Sequence, residues 1–143
     1  MPRLPRVFSV VAPILRAEFP DCQVVSWVPN VNHRTFPLIQ LRRSGGVRHR
    51  TEPTLLGTPI VELTAHSKDG LPEAEELYED VLEVLYDVVR RQTVTPAGYL
   101  HSIFERTGST QVSSPFQDAW AVQGLVQFGV RPPRTRVLLG PVA

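Results

Sequence analysis

Residues 71–91 read LPEAEELYEDVLEVLYDVVRR, and the rest of the fold is read outward from this stretch. Ala74, Leu77, Tyr78, Val81, Leu82, Leu85, Val88 and Val89 recur at three- and four-residue spacing. That spacing lays them along one side of a helix of about five turns. Pro72 fits the first helical turn, where a missing N–H costs nothing. Glu73, Glu75 and Glu76 sit at the end where the helix dipole favours acids, and Arg90 and Arg91 at the end where it favours bases. Glu73, Glu76, Asp80, Glu83 and Asp87 form a second, acidic stripe. The apolar side needs a sheet or another helix to cover it.

The sheet is found on both sides of this helix. Upstream, residues 59–66 read PIVELTAH and alternate: Val61, Leu63 and Ala65 share one face, Glu62, Thr64 and His66 the other. A period of two marks a half-buried strand, and Ser67-Lys68-Asp69-Gly70 ends it. Downstream, Trp120, Val122, Val126, Phe128 and Val130 share one parity with Gly124, while Gln123 and Gln127 lie on the other beside Ala121 and Leu125. This is a long strand with mixed exposure on one face. Tyr99–Thr107 predicts a further strand, followed by a loop through Gly108-Ser109 and Ser113-Ser114-Pro115, and 92–98 reads as a connection.

Earlier still, Val7, Phe8, Val11, Ile14, Leu15 and Phe19 fit a helical period over 7–19. Pro13 either kinks that helix or forces its start to near Ala12. Residues 22–28 are short and rich in Val and Trp, a strand, and Pro29-Asn30-Val31-Asn32 is a turn. Residues 37–42 give a second strand with Pro37 at its start. Arg43-Ser44-Gly45-Gly46 reads as a tight turn, and 47–56 is polar, basic and prolyl, an exposed loop or hairpin arm. After residue 130, Arg131-Pro132-Pro133-Arg134 cannot extend a central strand. The expectation is an α+β fold: one small domain over 1–143, a mostly antiparallel sheet with two helices on one face. An exposed arm falls at about 43–58 and a flexible tail at about 131–143. The sheet's other face is solvated or covers something outside the monomer.

Composition narrows the function. The 143 residues carry 15 Lys plus Arg against 14 Asp plus Glu, a net charge of +1, which argues against a dedicated nucleic-acid binder. The charge is segregated: residues 1–58 are net +5, 59–89 net −8 and 90–143 net +4. Fourteen of the fifteen bases are Arg, whose planar fork suits interfaces. Unlike charges on separate segments can steer and register a self-associating subunit. A solvated acidic helix face is the plainer alternative. Cys22 is the single cysteine, so no internal disulfide and no Cys-based zinc site is available. No apolar run reaches a membrane-spanning length, and no signal peptide is read at the start.

Chemistry-bearing motifs are absent. His33, His49, His66 and His101 make no metal-ligand spacing and read as ordinary surface or boundary histidines. Gly45-Gly46 lacks the Lys and helix of a phosphate loop. Ser44, His66 and Asp69 lack a nucleophile-elbow motif. The acids of 73–87 are too many and too regular for a general acid–base pair. Arg42, Arg43, Arg48 and Arg50 form the densest basic patch, suited to phosphate contact or to an acidic neighbour. Trp27 and Phe36 lie near but are not interleaved with these bases, so a single-strand platform is weakly supported.

Laid out in this order, the chain resembles the tail terminator proteins of long, non-contractile-tailed bacteriophages, over nearly its whole length. The likeness is one of pattern. A helix precedes a strand ending in Trp27-Val28-Pro29, and a Pro-led strand, Pro37–Arg42, runs into Arg43-Ser44-Gly45-Gly46. The apolar strand Ile60–His66 precedes the long helix, whose start at Glu73–Glu76 is small and acidic, and Trp120–Val130 completes the pattern. Pro13 within the first helix departs from it. The resemblance implies a non-enzymatic virion protein at the head-proximal end of the tail, needing no cofactor and assembled in the host cytoplasm. It implies a homo-hexameric ring that caps the tail tube protein and stops tube polymerisation. The ring offers a surface to the head-tail connector or stopper protein, and viral DNA passes through its hole. Arg42, Arg43, Arg48, Arg50, Glu73, Glu76, Asp80, Glu83 and Asp87 are the candidate contacts between subunits or to tube and connector. A stopper or tail completion joining protein is the alternative within the tail, and an Arg-patch nucleic-acid-binding module the alternative of another class.

Overall fold

The structure, a computed structural model, describes residues 3–27, 35–114 and 119–133. The chain runs α1 (Val7–Glu18), β1 (Gln23–Val25), β2 (Leu38–Arg48), β3 (Gly57–Ser67), α2 (Leu71–Arg91), β4 (Val94–Thr95), β5 (Gly98–Val112) and β6 (Trp120–Arg131). Six strands form one sheet in the order β1-β2-β3-β6-β5-β4. Among the described residues only the β1–β2 pair is parallel, and the other four pairs are antiparallel. Both helices cover the same face, as the α+β reading expects. α2 packs on β3, β6 and β5, and α1 on β1 and β2. The expected turn at 29–32, His33, the loop end at Pro115 and most of the C-terminal tail lie outside the described residues.

The core follows the predicted stripes. Ala74, Tyr78, Val81, Leu82, Leu85 and Val88 of α2 are buried against Val61, Leu63 and Ala65 of β3 and Val122, Val126, Phe128 and Val130 of β6. Gly124 belongs to this face for a steric reason. A Cβ there would lie 2.7 Å from Tyr78 Cζ and 3.0 Å from the Thr107 carbonyl, so the helix could not approach as it does. Gln92 closes α2 in the left-handed region (φ 51). Its side-chain amide donates to the carbonyls of Val89 (2.7 Å), Leu100 (3.1 Å) and His101 (3.2 Å), tying the helix end to β5.

Five sequence expectations change or narrow. α1 starts at Val7 and contains Pro13 rather than starting near Ala12. Pro13 faces solvent, while Val7, Val10, Val11 and Leu15 are buried, so packing of the first turns offsets the lost hydrogen bond. Gly45-Gly46 is not a turn. It lies inside β2, where the register slips between Arg43 and Gly45. Gly46 takes φ 91 with the backbone of Thr58, Pro59 and Ile60 against its Cα, a place only glycine fills. The strand expected to end at Thr107 continues to Val112, because shifts at Glu105/Thr107 and Thr107/Thr110 absorb Gly108-Ser109 without breaking the pairing. The predicted strand over 22–28 is paired only at Gln23–Val25, and the 92–98 connection holds the two-residue β4.

Candidate functional site

Three surfaces carry the polar chemistry of the fold. The first is the helix-free face of the sheet. Alternation along β3 and β6 that sends apolar side chains to the helices sends Glu62, Thr64, Gln123 and Gln127 the other way. Hydrogen bonds gather them into two groups, one around Gln123 and one around Gln127. Gln123 Nε2 donates to Thr64 Oγ1 (3.0 Å) and Glu62 Oε1 (3.5 Å), and Gln127 Nε2 donates to the Thr58 carbonyl (3.0 Å). Arg106 of β5 donates to Gln127 Oε1 at 2.9 Å, and Arg42 of β2 reaches Glu62 at 3.9 Å. The result is a hydrogen-bonded, partly buried polar face of little net charge.

His66 lies at one end of this face and corrects the surface reading: it is only 2% exposed. Leu38, its cross-strand neighbour, is buried as well. His66 Nε2 meets Gln40 Oε1 at 3.2 Å. Burial disfavours the charged imidazolium and holds its pKa down to about 4. A histidine kept neutral beside an amide is a structural group here.

The second surface is the β2–β3 arm. β2 carries on to Arg48 and β3 begins at Gly57, so the loop proper is 49–56. His49 Nδ1 faces the backbone N–H groups of Thr51 (3.3 Å) and Glu52 (3.2 Å) and the Thr51 hydroxyl (3.2 Å). Leu56 is buried, and Glu52 pairs with Arg131 at 3.5 Å. The loop is thus built and anchored, with Val47 (74% exposed) and Leu55 (50% exposed) presenting apolar surface beside the arginines. Arg43 donates to the carbonyls of Gly45 and Gly46, both at 3.1 Å, and Arg48 to that of Pro53 at 3.2 Å. Arg50 is exposed.

The third surface is the outward side of α2, where Glu73, Glu76, Asp80 and Glu83 are exposed. Asp87 belongs to the same stripe but is engaged within its own helix. Arg90 and Arg91 both pair with it, Arg91 at 2.7 Å, and the Arg90 hydrogen bond holds its carboxyl below the usual range. No ion pair among the described residues joins the basic set to the acidic stripe. Within one subunit they stand apart, Arg42, Arg43 and Arg48 on β2 and the acids on a helix lying over β3, β6 and β5.

A catalytic arrangement would need acids, imidazoles or thiols converging on a cavity. A groove lined by Val7, Phe8, Val11, Leu41, Arg43 and Phe128, among others, contains none of these. Among the described residues no group of three or more His, Cys, Asp or Glu is placed to hold a metal. Burial and the neighbouring Asp21 push the Cys22 thiol up, the reverse of an activated nucleophile. Sequence reading missed the hydrogen-bonded sheet face as a unit. Its signal was present in the opposite-parity residues Glu62, Thr64, Gln123 and Gln127, but the strand pairing that joins them was not.

The comparisons with known proteins agree with this surface-based reading. The family profile described as phage tail termination protein matches residues 3–137. The chain is 57% identical over 137 residues to the Gene 22 protein of Mycobacterium phage L5, covering 94% of this chain and 99% of that one. It is 55% identical, with the same coverage, to the Gene 22 protein of Mycobacterium phage D29. A profile spanning nearly the whole described fold shows that the chain belongs to the phage tail termination protein family, a structural and non-enzymatic component of the phage tail.

Proposed function

We propose that this protein forms a homo-hexameric ring on the head-proximal end of the tail tube. The ring ends tube polymerisation, presents the surface to which the head-tail connector or stopper docks, and leaves a central hole for viral DNA. Assembly takes place in the host cytoplasm before the tail meets the filled head. One observation carries this reading beyond family membership: the two charged sets lie toward different edges of the subunit. The arginines are on β2 and the loop that follows it, and the acidic helix lies over the β3, β6 and β5 side. Head-to-tail contact brings Arg43, Arg48 and Arg50 of one copy toward Glu73, Glu76, Asp80 and Glu83 of the next. A two-fold contact places like against like. Heterologous contacts that close by rotation make rings. Arg42, on the other face, and the arm with Val47 and Leu55 are left for the tube or connector. Asp87 is assigned to holding the end of its own helix.

Deleting the gene from the phage tests the role. The expected result is heads alongside unattached tails of abnormal, variable length. Tails of normal length lacking heads would overturn termination in favour of a joining role. Light scattering after gel filtration, with negative-stain images, tests the ring: six-membered rings at high concentration are expected, and a monomer at every concentration overturns it. Tight DNA binding that weakens steeply with salt would point instead to a nucleic-acid-binding module.

A further inference from the structure

Both outer strands of the sheet are too short for the strands they cover. β1 pairs with β2 only at Leu38–Gln40, and β4 pairs with β5 only at Gly98 and Tyr99. Among the described residues, 41–48 of β2 and 101–112 of β5 therefore have no strand on their outer side. Such edges present unpaired N–H and C=O groups that template a further strand, and monomeric proteins ordinarily blunt them.

The pairing registers show where these edges stand relative to each other. Across the sheet, Arg48 is level with Gly57, Val130 and Leu100, and Arg43 is level with Val61, Val126 and Glu105. The free part of β2 therefore stands at the height of the first two-thirds of the free part of β5. Three successive antiparallel pairings separate the two strands, so β2 and β5 run in opposite directions. Rotation about an axis along the strands preserves both height and direction. It brings β5 of one copy beside β2 of the next, antiparallel and in overlap.

The residues that then face each other are complementary. Arg43 meets Glu105 of the neighbouring copy, both on the helix-covered side, and opposite charges across a strand pair are favourable. On the other side Gly45 meets Phe104. Gly45 is level with Ile60, Gln127 and Phe104, and a Cβ built on it touches nothing within 4 Å. Phe104 is 51% exposed in the monomer. An aromatic ring laid over a cross-strand glycine covers its bare backbone. We infer that copies of this chain join edge to edge, the free edge of β5 pairing antiparallel with the free edge of β2 in the next copy, with Arg43 set against Glu105. The occupant of each edge is a second copy of the chain. This inference rests on the ring reading above.

Cross-linking separates the two. In a Cys22→Ser background, Arg43→Cys protein mixed with Glu105→Cys protein is oxidised under ring-forming conditions. A disulfide-linked dimer is expected in the mixture and not in either protein alone, and a chain carrying both substitutions should give a ladder of linked multimers. Because Arg43 also donates to the Gly45 and Gly46 carbonyls, the pair Arg42→Cys and Thr107→Cys, level on the opposite face, provides a second probe. In the unmodified protein, amide exchange at 41–48 and 101–108 should slow at least about tenfold on assembly, with α2 unchanged. Intact rings without mixed cross-links at either pair overturn the edge pairing and leave the ring standing. Cross-links within the Arg43→Cys or the Glu105→Cys protein alone also overturn it, by showing like-edge contact. Failure to form rings under any condition overturns both.

Discussion

α2 and β5 are the longest helix and the longest strand of the described chain, 21 and 15 residues, and they are held in opposite ways. α2 satisfies its own backbone and buries a continuous stripe from Ala74 to Val88. β5 buries Gly98, Tyr99 and Leu100, and from Phe104 to Gln111 every residue is exposed. Among the described strands only β6 pairs with that distal half, and the Tyr78 hydroxyl of α2 donates to Glu105 within it at 3.4 Å. The first element stabilises the subunit. The second buries less, and beyond Tyr99 its outer edge has no strand partner among the described residues.

The largest expected effect is in α2. Leu85→Ala removes a fully buried side chain and should cost about 2–5 kcal/mol in denaturant unfolding of the monomer. A cost no greater than that of an exposed substitution in β5 would break the contrast. α2 was also the element most legible in the sequence, because its three-four spacing is a local property and burial simply follows it. The parity of β6 was legible for the same reason, down to Gly124 on the apolar face. β5 was not. Its register shifts are settled by pairing with β6 across the intervening chain, and Gly108-Ser109 locally signals a break that the pairing overrides. The Gly45-Gly46 reading failed likewise: positive φ was foreseeable, but whether it served a turn or a bulge depended on β3. Of the candidate site residues, the acids of α2 were placed correctly by period alone. That Asp87 is engaged by Arg90 and Arg91 was readable from their spacing of three and four, and was overlooked.

A pH titration probes the buried end of the helix-free face, away from both regions. The unfolded chain takes a proton on His66 near pH 6.5, whereas the folded protein resists until about pH 4. The folded state is therefore at full stability above the first value and loses it as pH falls through the window between them. The loss amounts to about 3 kcal/mol for a pKa separation of this size. In His66→Gln, the fall in chemical-denaturation midpoint between pH 6.5 and 4 should shrink; an unchanged fall would show that His66 is not responsible.

The two regions meet at Gly124, where Tyr78 of α2 and Thr107 of β5 crowd the same backbone. Gly124→Ala should cost about 1–3 kcal/mol by overpacking. Combining it with Tyr78→Phe should recover part of that loss in a double-mutant cycle, since the tyrosine hydroxyl is the nearest obstacle. Simple additivity would place the strain elsewhere. The smallest expected effect on the monomer lies in distal β5: Phe104→Ser should change its unfolding free energy by no more than about 0.5 kcal/mol. The same variant should nonetheless weaken self-association on gel filtration. A large loss of monomer stability would show that Phe104 is packed within the subunit, and would erase the distinction between the two regions.

The free stretches of β2 and β5 are unlike in sequence and stand at opposite sides of the sheet. A row of copies joined through them always exposes one of each at its ends. Every added copy makes one new contact, but the copy that closes the circle makes two while surrendering scarcely more motional freedom. Under the proposed edge pairing, partial arcs are left sparse between free subunits and finished circles. The proposed ring would then respond to subunit concentration in a nearly all-or-none way, so that a tube end meets either single copies or a completed cap.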